Sequence, residues 1–163
     1  MDRGKPWPVQ VLAQAAEWLP LQLAQEQASA IPAHMIHTIG TDLIEIERIE
    51  TVHQRTGERF LSRILTEAER EYCLRKTHPA SSIAARFAAK EAVMKCLGTG
   101  WTGGVTFKDI EVTRVASGAP GLLLHGRSAE IATQLGIVRW HVSLSHSRDH
   151  ALAMVVAECE EDA

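Results

Sequence analysis

Cysteine is scarce in this chain, and what there is does not pair. Cys73, Cys96 and Cys159 are odd in number, far apart and without Cys-x-x-Cys spacing in a chain of 163 residues, which speaks against both a disulfide framework and a zinc site. Three reduced thiols suit a reducing, cytoplasmic setting. A surplus of positive charge is missing as well. The formal net charge is −3, so no general affinity for nucleic acid is expected. Long apolar runs are absent too, and nothing approaches the ~20 residues needed to cross a bilayer. The stretch ahead of Ala28-Ser29-Ala30 carries Glu17, Pro20 and Glu26, too polar and interrupted for the apolar part of a secretory leader. No membrane association is expected. Internal repeats and low-complexity segments are lacking.

What remains is an ordinary globular balance, 45% hydrophobic and 23% charged residues, in a length that suits one core. Residues 1–34 stand apart. Val9, Leu12, Ala16, Leu19 and Leu23 recur at three- and four-residue steps, which predicts an N-terminal helical extension broken at Pro20. The main domain is then 35–163. It should open with a strand over 35–44 and a helix over 45–55 stopped near Gly57. A second helix is expected over 67–75, with Thr66 as its cap. A longer one follows over 82–97, capped by Ser81 or Ser82 and ended by Gly98. Gly98–Gly104 reads as a glycine-rich loop. Strands over 105–115 and 121–125, a helix over 127–135, and strands over 138–145 and 150–158 complete the chain.

Chemistry concentrates in three places. Asp42 ends an apolar strand, where a carboxylate must be exposed, paired or bound to a cation; it also has the ordinary explanation of a cap. Glu91 shares a helix face with Phe87 and Lys95 at four-residue steps; read alone, it is an exposed ion pair with Lys95. Arg86 and Lys90 form another four-residue pair on that helix. Four such charged groups ahead of a glycine loop suit phosphate oxygens together with a metal. His146 and Ser147 end the segment WHVSLSH, where they could donate to phosphate.

Three segments, IGTDLIEIERIE (39–50), RFAAKEAVMKCLGTG (86–100) and VSLSHSRDHALAMVVAE (142–158), resemble in content, order and spacing the holo-[acyl-carrier-protein] synthases, the small bacterial class of 4′-phosphopantetheinyl transferases. The resemblance runs from about residue 36 to 159. It implies an α+β fold with an antiparallel sheet packed on a long central helix, in a homotrimer with active sites between subunits. It also implies a magnesium-dependent reaction, in which coenzyme A gives its phosphopantetheine arm to a serine of apo acyl carrier protein in support of fatty acid biosynthesis. By this likeness Asp42 and Glu91 hold Mg2+. Lys95 faces the phosphates and shares the catalytic role with Glu91. Arg86, Lys95, Gly98, Gly100, His146 and Ser147 contact coenzyme A, and Arg48 docks the acidic carrier. The larger class of these transferases carries Asp-x-Glu, whereas here Ile44 stands two residues after Asp42. Two protein carboxylates, not three, are therefore expected at the metal. The base could be Glu91, a metal-bound water or Asp42. Trp101 either lines the pantetheine path or packs at an interface. A metal-dependent nuclease would more usually show Glu-x-Lys on a strand. A non-catalytic carrier-binding relic would have lost an acid or Lys95.

Overall fold

The computed structural model describes residues 34–160. The expected helical extension lies outside the described residues, except that His34 already belongs to the first strand.

Three antiparallel strands, β1 (His34–Glu45), β4 (Ile137–His146) and β5 (His150–Glu160), form a sheet in the order β1-β5-β4. The 18-residue helix α4 (Pro79–Cys96) lies against it. Small residues make this approach close. β5 turns Ala151, Ala153, Val155 and Ala157 into the core, and α4 brings Ala84, Ala88, Ala89 and Ala92 to the same cluster. Gly40 on β1 is the tightest point: a Cβ there would sit 2.0 Å from the Ala92 carbonyl oxygen. Only glycine lets the strand backbone touch the helix backbone. Because side chains alternate along a strand, Gly40, Asp42 and Ile44 share the helix side, whereas Ile39 and Leu43 point outward and are exposed.

The segment between β1 and α4 is helical. α1 (Ile46–Thr56) ends at Gly57, whose φ of 52° turns the chain into α2 (Glu58–Ile64). α2 was not expected from the sequence. α3 (Glu67–Leu74) begins with the predicted Thr66 cap, completed by Glu69 in a reciprocal pair: Thr66 N–H donates to Glu69 Oε2 at 2.8 Å and Glu69 N–H to Thr66 Oγ1 at 3.3 Å. α4 starts at Pro79, ahead of both serines proposed as its cap. Proline suits a first turn because the N–H it lacks would have no helical partner, and Ser81 instead donates to the His78 carbonyl at 3.1 Å.

The strand expected over 105–115 is shorter. Asp109 Oδ2 accepts from Thr106 N–H at 2.8 Å and folds Phe107–Asp109 into a 3-10 turn, leaving β2 as Ile110–Arg114. β2 pairs with β3 (Pro120–Leu124) as a hairpin, and α5 (Gly126–Gln134) leads to β4. Cys73 and Cys96 are buried free thiols, and burial pushes Cys96 up to about 11, so it stays protonated and inert.

Candidate active site

β1 and α4 bring the first group of predicted residues together. Lys95 Nζ donates to Asp42 Oδ1 at 2.9 Å and to the Thr41 carbonyl at 2.6 Å. Glu91 lies one helical turn before Lys95. Its Oε2 accepts from the Trp101 indole at 3.2 Å, while its Oε1 is buried with no partner. Burial raises the Glu91 pKa; Trp101 and Lys95 pull against that, and the neighbouring Asp42 carboxylate adds to it. An orphaned, partly desolvated carboxylate beside a second one fits a hard divalent cation, whose charge would answer both costs. Ile44 is 6% exposed and part of the core. No cluster of three or more His, Cys, Asp or Glu side chains suited to a metal occurs among the described residues.

The second group surrounds a cavity of about 320 Å³ on the other side of α4, lined by Arg86, Ser82, Tyr72, Arg114 and His146 among others. Arg86 is 5% exposed. Its guanidinium lies 4.2 Å from the Tyr72 ring centroid, its Nη1 donates to the Ser82 carbonyl at 3.3 Å, and its Nε is buried without a partner. Arg86 and His146 thus line one cavity within a single chain. Ser147 borders an adjoining cavity of about 430 Å³ with His146. Its hydroxyl accepts from His150 N–H at 3.2 Å and so belongs to the β4–β5 turn.

The sequence reading missed Tyr72 and Arg114. Burial alone would raise the Tyr72 phenol, yet Lys76, Arg114 and Arg86 around it hold it below its ordinary value. Arg114 donates to the Tyr72 hydroxyl and, at 2.6 Å, to the Gly118 carbonyl. No local pattern marks either residue. Their meeting depends on β2 passing beside α3.

Lys90 needs a correction. Read with Arg86 as a phosphate-facing pair, it is instead fully buried. Its ammonium donates to Glu69 Oε2 at 2.6 Å, the Ile64 carbonyl at 2.6 Å and the Phe107 carbonyl at 3.0 Å. Glu69 Oε1 in turn accepts from Val112 N–H at 2.9 Å. Three acceptors require the full ammonium. Lys90 therefore ties α2, α3, the 3-10 turn and β2 to α4 and reaches no ligand.

Gly98 and Gly100 adopt φ of 67° and 52°, with open space where a Cβ would stand, and they turn the chain out of α4. The same loop carries Trp101, which packs edge-on against Phe107 at 5.0 Å, with Phe107 stacked on Phe87 at 5.0 Å. Beside this stack is an apolar cleft of about 540 Å³ that Phe60 and Arg63 of α2 also line. Arg48, Arg55, Arg59 and Arg63 are exposed on α1 and α2, and Gly57 does break the stripe between them.

Arg86 and Glu91 are five residues apart on α4, roughly 140° around a helix of 3.6 residues per turn. Among the described residues, Asp42, Glu91 and Lys95 are not in the lining of the Arg86 cavity. The two groups face different ways.

A family model of the 4′-phosphopantetheinyl transferase superfamily matches residues 38–155. A holo-[acyl-carrier-protein] synthase of Gloeobacter violaceus is 51% identical over 121 residues, covering 74% of this chain and 91% of that protein. One of Koribacter versatilis is 48% identical over 124 residues, covering 76% of this chain and 99% of that protein. Among solved structures, the synthase of Neisseria meningitidis superposes with a TM-score of 0.70 at 37% identity, over 76% of this chain and 98% of that one. The synthase of Helicobacter pylori in complex with coenzyme A gives 0.66 at 36% identity, over 74% and 99% of the two chains.

Proposed function

The chain belongs to the holo-[acyl-carrier-protein] synthases of the 4′-phosphopantetheinyl transferase superfamily, and on that footing we propose that it transfers 4′-phosphopantetheine from coenzyme A to a serine of apo acyl carrier protein. The observation that carries the reading is the meeting of Asp42, Glu91 and Lys95 between β1 and α4, with one Glu91 oxygen left unpartnered. The serine oxygen bonds to the phosphorus that bears the pantetheine arm. The bond from that phosphorus to the bridging oxygen breaks, and adenosine 3′,5′-bisphosphate leaves. The serine proton must pass to a base. Each carboxylate has one oxygen engaged, Asp42 by Lys95 and Glu91 by Trp101, and either could take the proton, directly or through water.

Asp42 and Glu91 would hold the magnesium ion, which when bound neutralises pyrophosphate charge. Lys95, half exposed beside them, stabilises charge developing on the leaving oxygens. Arg86 and His146 grip the 3′-phosphate, the buried Arg86 Nε being free to donate. Ser147, Gly98 and Gly100 border the coenzyme. Arg48 meets the acidic carrier. The setting is the cytoplasm and fatty acid biosynthesis; no helix among the described residues is long and apolar enough to cross a membrane.

The working unit is a homotrimer with sites between subunits. Two observations support this. On the outer face of the sheet Ile39, Leu43, Leu152 and Met154 are 52, 61, 40 and 41% exposed, although small residues fill the inner face. Apolar patches of this kind mark association surfaces. The Asp42–Glu91–Lys95 group and the Arg86–His146 cavity also face apart in one chain, so one coenzyme would bridge them more readily across a subunit boundary.

Incubation with coenzyme A, magnesium and apo carrier should add one phosphopantetheine to the carrier by mass spectrometry; no gain with a carrier that a known synthase modifies refutes the activity. Mixing inactive Glu91→Gln and Arg86→Ala proteins after partial dissociation should restore turnover at shared interfaces. Failure to do so in trimers shown to have exchanged subunits refutes the interface site.

A further inference from the structure

We infer that Trp101 is a positioning residue that fixes the Glu91 carboxylate for cation binding; this rests on the metal assignment proposed above. The indole N–H is a donor only. Placed 3.2 Å from Glu91 Oε2, it occupies one oxygen and leaves Oε1, which is buried, without a protein partner. The carboxylate is thereby held against rotation with its second oxygen unpartnered.

Trp101 is itself held from two directions. Its ring packs edge-on against Phe107 at 5.0 Å and lies 6.4 Å from Phe87, and Phe87 stands one helical turn before Glu91 on α4. The chain doubles back to bring the indole over the helix it has just left. Gly98 and Gly100, both at positive φ, permit that path, and Thr102 Oγ1 pins it by donating to the Thr99 carbonyl at 2.7 Å. The indole remains 69% exposed, so it contributes little to the core. The arrangement parallels the other ligand, where Lys95 holds Asp42 Oδ1. Each carboxylate thus has one orienting donor, the part that outer groups play around metal ligands.

The test is Mn2+ titration of the full chain, without coenzyme A, followed by electron paramagnetic resonance. It compares wild type, Trp101→Phe, Trp101→His and Asp42→Asn, with the melting temperature of each metal-free protein. Phe keeps an aromatic ring and loses the donor; it should weaken Mn2+ binding about tenfold, the lower end of the range for such orienting groups, at unchanged metal-free stability. His restores a ring N–H and should recover part of the loss. Wild-type affinity in the Phe variant, with Asp42→Asn weakened, overturns the role of Trp101 alone. Unchanged affinity in Asp42→Asn as well overturns the metal assignment beneath it. Equal losses in Phe and His, or a loss that tracks a fall in metal-free melting temperature, make Trp101 a packing residue and also overturn the inference.

Discussion

Gly40→Ala isolates the contact on which the site depends. Gly40 lies in a strand without positive φ, so alanine brings no backbone strain. The difficulty is space: the new Cβ would sit 2.0 Å from the Ala92 carbonyl oxygen and 2.9 Å from both the Ala92 carbonyl carbon and Cys96 Sγ, where real contacts essentially never fall below 3.0 Å. About 1 Å of separation must be made between two backbones, neither of which can rotate aside as a side chain can. The cost should reach the upper end of the overpacking range, about 3 kcal/mol. For a domain of this size that is a fall in melting temperature of roughly 10 °C. Asp42 follows Gly40 by two residues on the same face, so lifting β1 also draws its carboxylate away from Lys95 and Glu91. Thermal unfolding and Mn2+ binding should therefore fail together. Cys96→Ala should not rescue the variant, because it removes only the flexible obstacle. Gly136→Ala is the control: its φ is 69° but nothing lies near the new Cβ, so it should cost only about 1 kcal/mol. A Gly40→Ala protein that loses less than the control, keeps its Mn2+ affinity or is restored by Cys96→Ala would refute the reasoning.

Lys90→Met should cost about 3–5 kcal/mol in denaturant unfolding, because it strands the buried Glu69 charge. Adding Glu69→Gln, which removes that charge and keeps an acceptor for Val112, should return part of the loss; a double variant worse than the single one contradicts the pairing. Glu91, whose folded pKa lies above its ordinary value, costs stability where it is ionised in both states and ceases to cost as pH falls through that raised pKa. Metal-free Glu91→Gln should thus melt above wild type at neutral pH, with the gap closing as pH falls from the raised pKa to the ordinary carboxylate value of 4.5. Magnesium should reverse the order, since it stabilises only the folded protein that binds it; a less stable metal-free Gln variant at neutral pH would contradict the burial argument. Arg48→Ala should raise the carrier KM and flatten its salt dependence, and an unchanged profile removes Arg48 from the docking surface.

Local chemistry was legible without a structure. The Thr66 cap needs only Glu69 three residues on, Gly57 stops α1 by its own backbone, and the spacing of Glu91 and Lys95 places them on one helix face. The motifs around Asp42, Glu91 and His146 carried the family and with it the reaction. α2 escaped notice because seven residues hold too few turns to show a period. The strand over 105–115 was cut short by the Asp109 cap of Thr106, a side-chain bond that alternation does not reveal.

Everything that depended on distant partners was decided by tertiary structure. Lys90 looks like a ligand-facing cation until Glu69 and the Ile64 carbonyl close over it from more than twenty residues away. Tyr72 and Arg114 enter the cavity only because β2 runs beside α3. The sequence by itself determined the three motifs that mark the family, and with Ile44 it placed an apolar residue two positions after Asp42. The packing of Gly40 on Ala92 decided where the Asp42 and Glu91 carboxylates stand. The surroundings of α4 also decided that Arg86 opens into a different cavity from Glu91, because the direction of a side chain on a helix has meaning only once the neighbours of that helix are in place.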